Sequence, residues 1–130
     1  MKITLKPTTE KDYNFLYCLL EQRPKEENIS HRKMPTYKEH CDFNASNPYV
    51  LDKIIYENGE KIGRFYLTEK KEIGIHLLPG VSLEAVKLIL DDLDGQHFLN
   101  VSPNNKQMQK LLKKLGYEVI QYTYEKNLSA

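Results

Sequence analysis

The stretch VSPNNKQMQKLLKKLGYEVI, residues 101–120, changes character three times, and its reading decides the fold. Val101 closes a short apolar run, residues 97–101, that reads as a strand and is stopped by Pro103, which has no N–H for a ladder. Residues 104–115 then read as a helix. Asn stands at its start, and Met108, Leu111, Leu112 and Leu115 fall at helical spacing on one core face. Gly116 comes after the last apolar residue, where a left-handed C′ position ends a helix. Residues 118–126 alternate again and read as a closing strand.

Upstream, residues 2–6 alternate and end at Pro7, a first strand. Thr9 and Asp12 are spaced as a capping box, and Phe15, Leu16, Leu19 and Leu20 lie beyond it at helical intervals, predicting a helix over 10–22. Residues 23–35 are polar and read as a loop. Thr36 and Glu39 form a second capping box, opening a short helix that ends between Ala45 and Asn47. Strands are expected over 49–56 and 61–68, joined at Asn58-Gly59, the strongest short-range hairpin signal. A third strand, 73–78, comes after the charged turn 69–71. Only Pro79, Gly80 and Val81 separate it from a helix over 82–93 with Ser82 as its cap. The order β-α-α-β-β-β-α-β-α-β predicts an α/β (α+β) chain with a mixed, mostly antiparallel central sheet flanked by helices.

The 130 residues are read as a single domain spanning 1–130. Nineteen Lys and Arg against eighteen Asp and Glu leave a formal charge of +1, which argues against broad nucleic-acid binding. No apolar run approaches membrane-spanning length and no leader-like segment opens the chain, so no membrane association and a cytoplasmic location are expected. Cys18 and Cys41 are too few for a disulfide framework. The four histidines are scattered without metal-ligand spacing, so no metal is expected.

The pattern Val101-Ser102-Pro103-Asn104-Asn105, a helix, then Lys114-Leu115-Gly116-Tyr117 resembles the C-terminal signature of the GCN5-related N-acetyltransferases, V-x-P-x-N and then K-x-G-[FY]. The element order is similar to that family's over almost the whole chain. Two further segments, NISHRKMPTYKEHCDF (28–43) and YLTEKKEIGI (66–75), look like a bacterial branch whose acceptors include amino sugars and related small amines.

The resemblance implies a single-step transfer of acetyl from acetyl-CoA, as co-substrate, to a primary amine of a small molecule, by a monomer or homodimer. It places the strand 73–78 against the cofactor arm, with backbone groups of Ile75, His76 and Leu77 as candidates to pair with it and polarise the thioester. Glu72, at the start of that strand, takes the place of the carboxylate that deprotonates the amine; alone it reads as a solvated acid beside Glu69, Lys70 and Lys71. Asn105 matches the signature Asn, and it can equally bond backbone in its own helical turn. The family's acidic Tyr in the last helix is Leu112 here, which leaves Tyr117 or water as the acid. His31 and Arg32 in the loop, with Tyr37 and His40 one turn apart on the next helix, match the acceptor side; a solvated basic loop is the plainer reading of each alone.

One part of the family pattern is missing. Relatives continue this strand with P-x-x-[RQ]-x-x-G-x-[GA], whose backbone N–H groups wrap a pyrophosphate. Here Pro79 leads into Gly80-Val81-Ser82-Leu83-Glu84, without the basic residue or the second glycine. Glu84 puts a carboxylate where a phosphate would approach the helix dipole. Gly80, Val81 and Ser82 remain as the cofactor-binding amides. The alternative is a catalytically degenerate domain of the same fold that acts as a binding or interaction module without CoA.

Overall fold

Asn58 and Gly59 both adopt positive φ, 51° and 86°. These are the backbone angles of a type I′ turn, whose twist matches that of the strands it joins. The hairpin they close is the centre of the sheet in the computed structural model, which describes residues 2–22 and 34–127. Its strands are β2 (Leu51–Glu57) and β3 (Glu60–Leu67). β1 (Ile3–Pro7) adds antiparallel to β2, and β4 (Glu72–Leu77) antiparallel to β3. β5 (Phe98–Leu99) joins β4 in parallel, giving the order β1-β2-β3-β4-β5.

Period-two alternation sends the two sides of the sheet to different helices. On one side Ile54 is fully buried with Leu16 and Leu19 of α1 (Tyr13–Glu21), and α2 (Tyr37–Ala45) packs beside α1. On the other, Ile55, Phe65 and Ile73 meet Ala85, Val86, Ile89 and Leu90 of α3 (Glu84–Asp91). Met108, Leu111, Leu112 and Leu115 on and beside α4 (Lys106–Lys114) join this cluster but stay half-buried. Their cover is incomplete because the sheet narrows to two residues at β5. Among the described residues no helix is long and apolar enough to cross a membrane.

Three expectations change. The helix over 10–22 begins as a 3-10 turn, Glu10–Asp12, before α1. Helix α3 starts at Glu84 with Leu83 at the cap position, one residue later than a Ser82 cap predicts; the Ser82 hydroxyl still accepts from Glu84 N–H at 3.1 Å. The largest change is the closing strand. Residues 118–127 form no strand among the described residues, and the predicted strand 97–101 shrinks to Phe98–Leu99. Alternation makes a segment able to pair, but a strand needs an edge beside it. After Leu99 the chain turns away, with Asn105 N–H reaching Ser102 carbonyl at 3.0 Å.

Asp12 fastens the first helix to the sheet. Its carboxylate accepts the Thr9 N–H at 2.9 Å and holds Lys61 of β3 at 2.6 Å, while the residue is 6% exposed. Burial pushes its pKa up, but the Lys61 and Thr9 bonds together outweigh that and leave it below the usual 3.8. A carboxylate so depressed stabilises the fold fully above its unfolded pKa, and that contribution is lost as pH falls through the folded one. Asp12→Asn should therefore destabilise the protein at pH 7 by about 1–3 kcal/mol, the range of a lost cap plus a part-buried ion pair. In denaturant melts the gap between wild type and variant should close as pH falls below 3.8. A gap that stays constant down to pH ~2 would remove Asp12 from this role.

Candidate functional site

β4 and β5 pair only at Glu72↔Phe98 and Ile73↔Leu99. Beyond these residues no described strand lines β4 on that side, although β3 stays paired with it through Gly63↔Leu77. Alternate residues of a strand aim their N–H and C=O at opposite neighbours. Thr68 N–H reaches Glu72 carbonyl at 2.9 Å and Leu78 N–H reaches Ile62 carbonyl at 2.8 Å, so the even-numbered residues serve β3. Phe98 N–H reaches Lys71 carbonyl at 2.9 Å, so the odd-numbered ones serve the β5 side. Ile75 and Leu77 thus turn their backbone groups into the fork between the two strands. His76, also a candidate for this edge, has its backbone toward β3 instead; the two-residue period of the strand excludes it.

Glu72 stands at the closed end of the fork. Its N–H donates to Thr68 Oγ1 at 3.1 Å, and its Oε2 accepts Asn100 Nδ2 at 2.8 Å. Asn100 lies directly after β5, so this bond ties the two strands just where they part, a contact that no local motif signals. Glu72, Gly74 and His76 share the sheet face that α1 covers. The Tyr66 ring lies over Gly74: a Cβ there would meet Tyr66 Cζ at 2.0 Å, so only glycine lets the ring close down. His76 meets the edge of the same ring, with centroids 5.8 Å apart.

The turn after β4 is less open than its composition suggests. Pro79 and Gly80, the latter at φ 82°, fill the centre of a type II turn in which Val81 N–H donates to Leu78 carbonyl at 3.3 Å. Val81, expected as a phosphate donor, has its N–H committed to this turn. Ser82 hydroxyl takes Glu84 N–H and Ser82 carbonyl takes Ala85 N–H at 3.4 Å, which occupies two of the first helical donors. The N–H groups of Gly80 and Ser82 take part in none of these bonds. Asn105 caps α4, its Oδ1 accepting Met108 N–H at 3.2 Å.

Tyr117 packs in the core cluster on the α3 side of the sheet, the face away from the Glu72 side chain. Its hydroxyl lies 2.6 Å from His97 Nε2, while His97 Nδ1 lies 3.0 Å from Gly95 carbonyl. The carbonyl can only accept, so Nδ1 carries the hydrogen and, in the neutral ring, Nε2 accepts from the phenol. His97 immediately precedes β5, at the closed end of the fork. Burial, with Asp91 nearby, raises the phenol pKa. Of the residues expected to meet the acceptor, His31 and Arg32 lie outside the described residues. Tyr37 and His40 both meet the edge of Tyr17, at 5.3 and 5.4 Å between centroids. His40 is 7% exposed and packed between α1 and α2 rather than lining an open surface.

A buried charge network under α2 carries no signature in the sequence. Arg64, 6% exposed, donates from Nε to Asp52 Oδ1 at 2.9 Å and from Nη2 to Asp52 Oδ2 at 2.6 Å. Its Nη2 also reaches Asn44 Oδ1 at 2.7 Å, and Asn44 Nδ2 donates to His40 carbonyl at 2.8 Å. The guanidinium lies over Tyr49, 5.1 Å from its centroid, and Tyr49 stacks on Tyr66 at 4.0 Å. Burial in this stack raises the Tyr49 pKa to about 12. A charged residue on the inner face of each hairpin strand is the available hint. Their diagonal register across Asn58-Gly59 supplies the pairing. A cleft of about 380 Å³ beside it is lined by Thr8, Glu10, Tyr13, Asn47 and Asp52, two strands away from β4. Among the described residues no group of three or more His, Cys, Asp or Glu is placed to hold a metal.

No family model and no curated protein matches the chain. Solved structures do. A domain from Methanocaldococcus jannaschii is 22% identical over 95% of this chain and 93% of its own, with a TM-score of 0.75. Spermidine N-acetyltransferase from Vibrio cholerae is 18% identical over 98% of this chain and 85% of its own, at 0.72. The aminoglycoside N-acetyltransferase AAC(6')-Iy, solved with the bisubstrate analog CoA-S-monomethyl-acetylneamine, is 14% identical over the full length of both chains, at 0.63. At such identities the likeness is one of architecture: this chain has the fold of the GCN5-related N-acetyltransferases.

Proposed function

We propose that this protein is an N-acetyltransferase that moves acetyl from acetyl-CoA to a primary amine of a small molecule, with an amino sugar as the leading acceptor class. The observation that carries this reading is the fork: two backbone edges, Ile75 and Leu77, are turned toward a space that no described strand fills. Acetyl-CoA supplies the acetyl group as a thioester at the end of an amide-rich arm. An extended amide arm is what such an edge binds, since it offers donors and acceptors at strand spacing. An N–H of Ile75 or Leu77 would meet the negative charge that grows on the thioester oxygen.

Glu72, at the closed end and on the α1 face, would take the proton of the acceptor ammonium and free the nitrogen lone pair to attack. Asn100 holds that carboxylate in place. Tyr117, with its proton directed to His97, is a packing residue, so water returns the proton to the departing thiolate. Tyr37 on α2, 43% exposed, stands on the acceptor side, and His31 and Arg32 belong to the same proposal.

The fit is uneven along the co-substrate. The fork suits the arm, but the turn offers the pyrophosphate only the Gly80 and Ser82 amides, with Val81 committed and Glu84 repelling an anion. This observation favours, as a second reading, a domain that has kept the fold and acts as a binding module without CoA.

Calorimetry with acetyl-CoA and acetyl-pantetheine separates the two. If the arm carries the binding, the two affinities should agree within about tenfold, or about 1.4 kcal/mol. Absence of binding by either at millimolar concentration rejects the enzyme reading in favour of the module. Glu72→Gln should lower turnover by about 10²–10⁴, the usual contribution of a positioned base, while leaving acetyl-CoA affinity unchanged. Equal turnover in the variant would remove Glu72 from the chemistry.

A further inference from the structure

The Tyr66 ring does not stay over its own strand. Tyr66 of β3 pairs with Gly74 of β4. A Cβ built on Gly74 would collide with Tyr66 Cζ, Cε1 and Cε2, the three carbons at the hydroxyl end of the ring. That end therefore lies over β4. A phenol carried so far across the gap between strands, about 4.8 Å, directs its oxygen on past β4 toward the β5 side. The ring is held in this place. Tyr49 stacks on it with centroids 4.0 Å apart, His76 meets its edge at 5.8 Å, and the Arg64 guanidinium lies 6.0 Å from its centroid.

Glu72 stands on the same face of β4, two positions before Gly74 and so about 7 Å from it. Its carboxylate leans to the same side, because Oε2 accepts Asn100 Nδ2 just beyond β5. A carboxylate, which only accepts, and a phenol, which donates and accepts, are thus neighbours at strand spacing along the edge of β4 that faces β5. An amine alone engages only the first of them. An amine with a hydroxyl on the adjoining carbon engages both: hydrogen bonds of about 2.8 Å at each end of an N–C–C–O unit span such a gap. Amino sugars carry that unit wherever nitrogen replaces one hydroxyl of the ring.

We propose that the acceptor is a vicinal amino alcohol, with its amine at Glu72 and its neighbouring hydroxyl on the Tyr66 phenol, so that Tyr66 sets acceptor specificity. This rests on the acetyl transfer proposed above and narrows it. Tyr66 exchanges no proton in the reaction. It fixes the rotation of the amino alcohol, which aims the nitrogen lone pair at the thioester carbon. Nitrogen bonds the acetyl carbon and the carbon–sulfur bond breaks. Glu72 takes one ammonium proton, solvent takes the second as the amide forms, and water protonates the thiolate.

The test compares 2-aminocyclohexanol with cyclohexylamine, a ring pair differing in the one hydroxyl, as acceptors from acetyl-CoA. Wild type should favour the amino alcohol in kcat/KM. Tyr66→Phe keeps the ring and removes the oxygen, and should lower the ratio of the two by at least about tenfold. The basicity of the amines cancels, because the same pair serves both proteins. Gly74→Ala puts a methyl where the ring end lies and should lower the ratio as well. Circular dichroism checks that each variant folds, and if Gly74→Ala does not, Tyr66→Phe decides alone. A ratio unchanged by Tyr66→Phe overturns the inference, as does a wild type that prefers cyclohexylamine; both leave acetyl transfer standing. A wild type that acetylates no amine rejects the transfer itself, and this inference with it.

Discussion

The parallel pairing of β4 with β5 lasts two residues, and the rest of the site depends on where it stops. A strand that loses its neighbour must put its N–H and C=O groups somewhere, because buried unpaired backbone groups are costly. β3 takes one edge of β4 along its length, which fixes which residues have their groups on the open side. The Glu72–Asn100 bond closes the fork at its base. Gly74 under the Tyr66 ring keeps the α1 face of β4 tightly covered. The open edge is therefore held by rigid parts, the condition under which backbone donors can act on charge formed during a reaction.

The two ends of the fork are unequally prepared. On the side where Glu72 closes it there are a carboxylate with a bonded partner, the outward backbone groups of Ile75 and Leu77, and an aromatic wall held by the part-buried Arg64–Asp52 pair. At the other end, a type II turn uses the one N–H that a longer loop would leave for an anion, and Glu84 begins the helix. The short connection between β4 and α3 accounts for both. With only Pro79, Gly80, Val81, Ser82 and Leu83 on hand beyond Leu78, the chain must fold back at once, and its donors serve that reversal. In the proposed function, weak purchase on phosphates and strong dependence on the arm would share that one cause.

Much of this architecture is legible in the sequence because local signals agree with one another. Thr9 with Asp12, Thr36 with Glu39, Asn58-Gly59 and Gly116 each mark a boundary by a local hydrogen bond or a positive φ, and such features do not depend on distant parts of the chain. The closing strand is not legible in the same way, because alternation at 118–126 says that a strand can form, whereas pairing depends on an edge elsewhere. The Arg64–Asp52–Asn44 network escapes a sequence reading for a related reason: it joins three elements, and only the sheet register shows that they meet. Near the proposed site, the sequence pattern anticipates the strand β4 that begins at Glu72. The backbone parity that selects Ile75 and Leu77 over His76, and the turn bond that occupies Val81, depend on hydrogen bonds that no residue name encodes.

The direct test of the fork is amide hydrogen exchange along β4, with and without acetyl-CoA. The N–H groups of Gly74 and His76, which serve β3, should exchange slowly in the free protein, while those of Ile75 and Leu77 exchange fast. Saturating acetyl-CoA should then slow Ile75 and Leu77 selectively and leave Gly74 and His76 unchanged. Slow exchange at all four positions in the free protein, or no change at Ile75 and Leu77 at saturation, would contradict the claim that this edge receives the co-substrate.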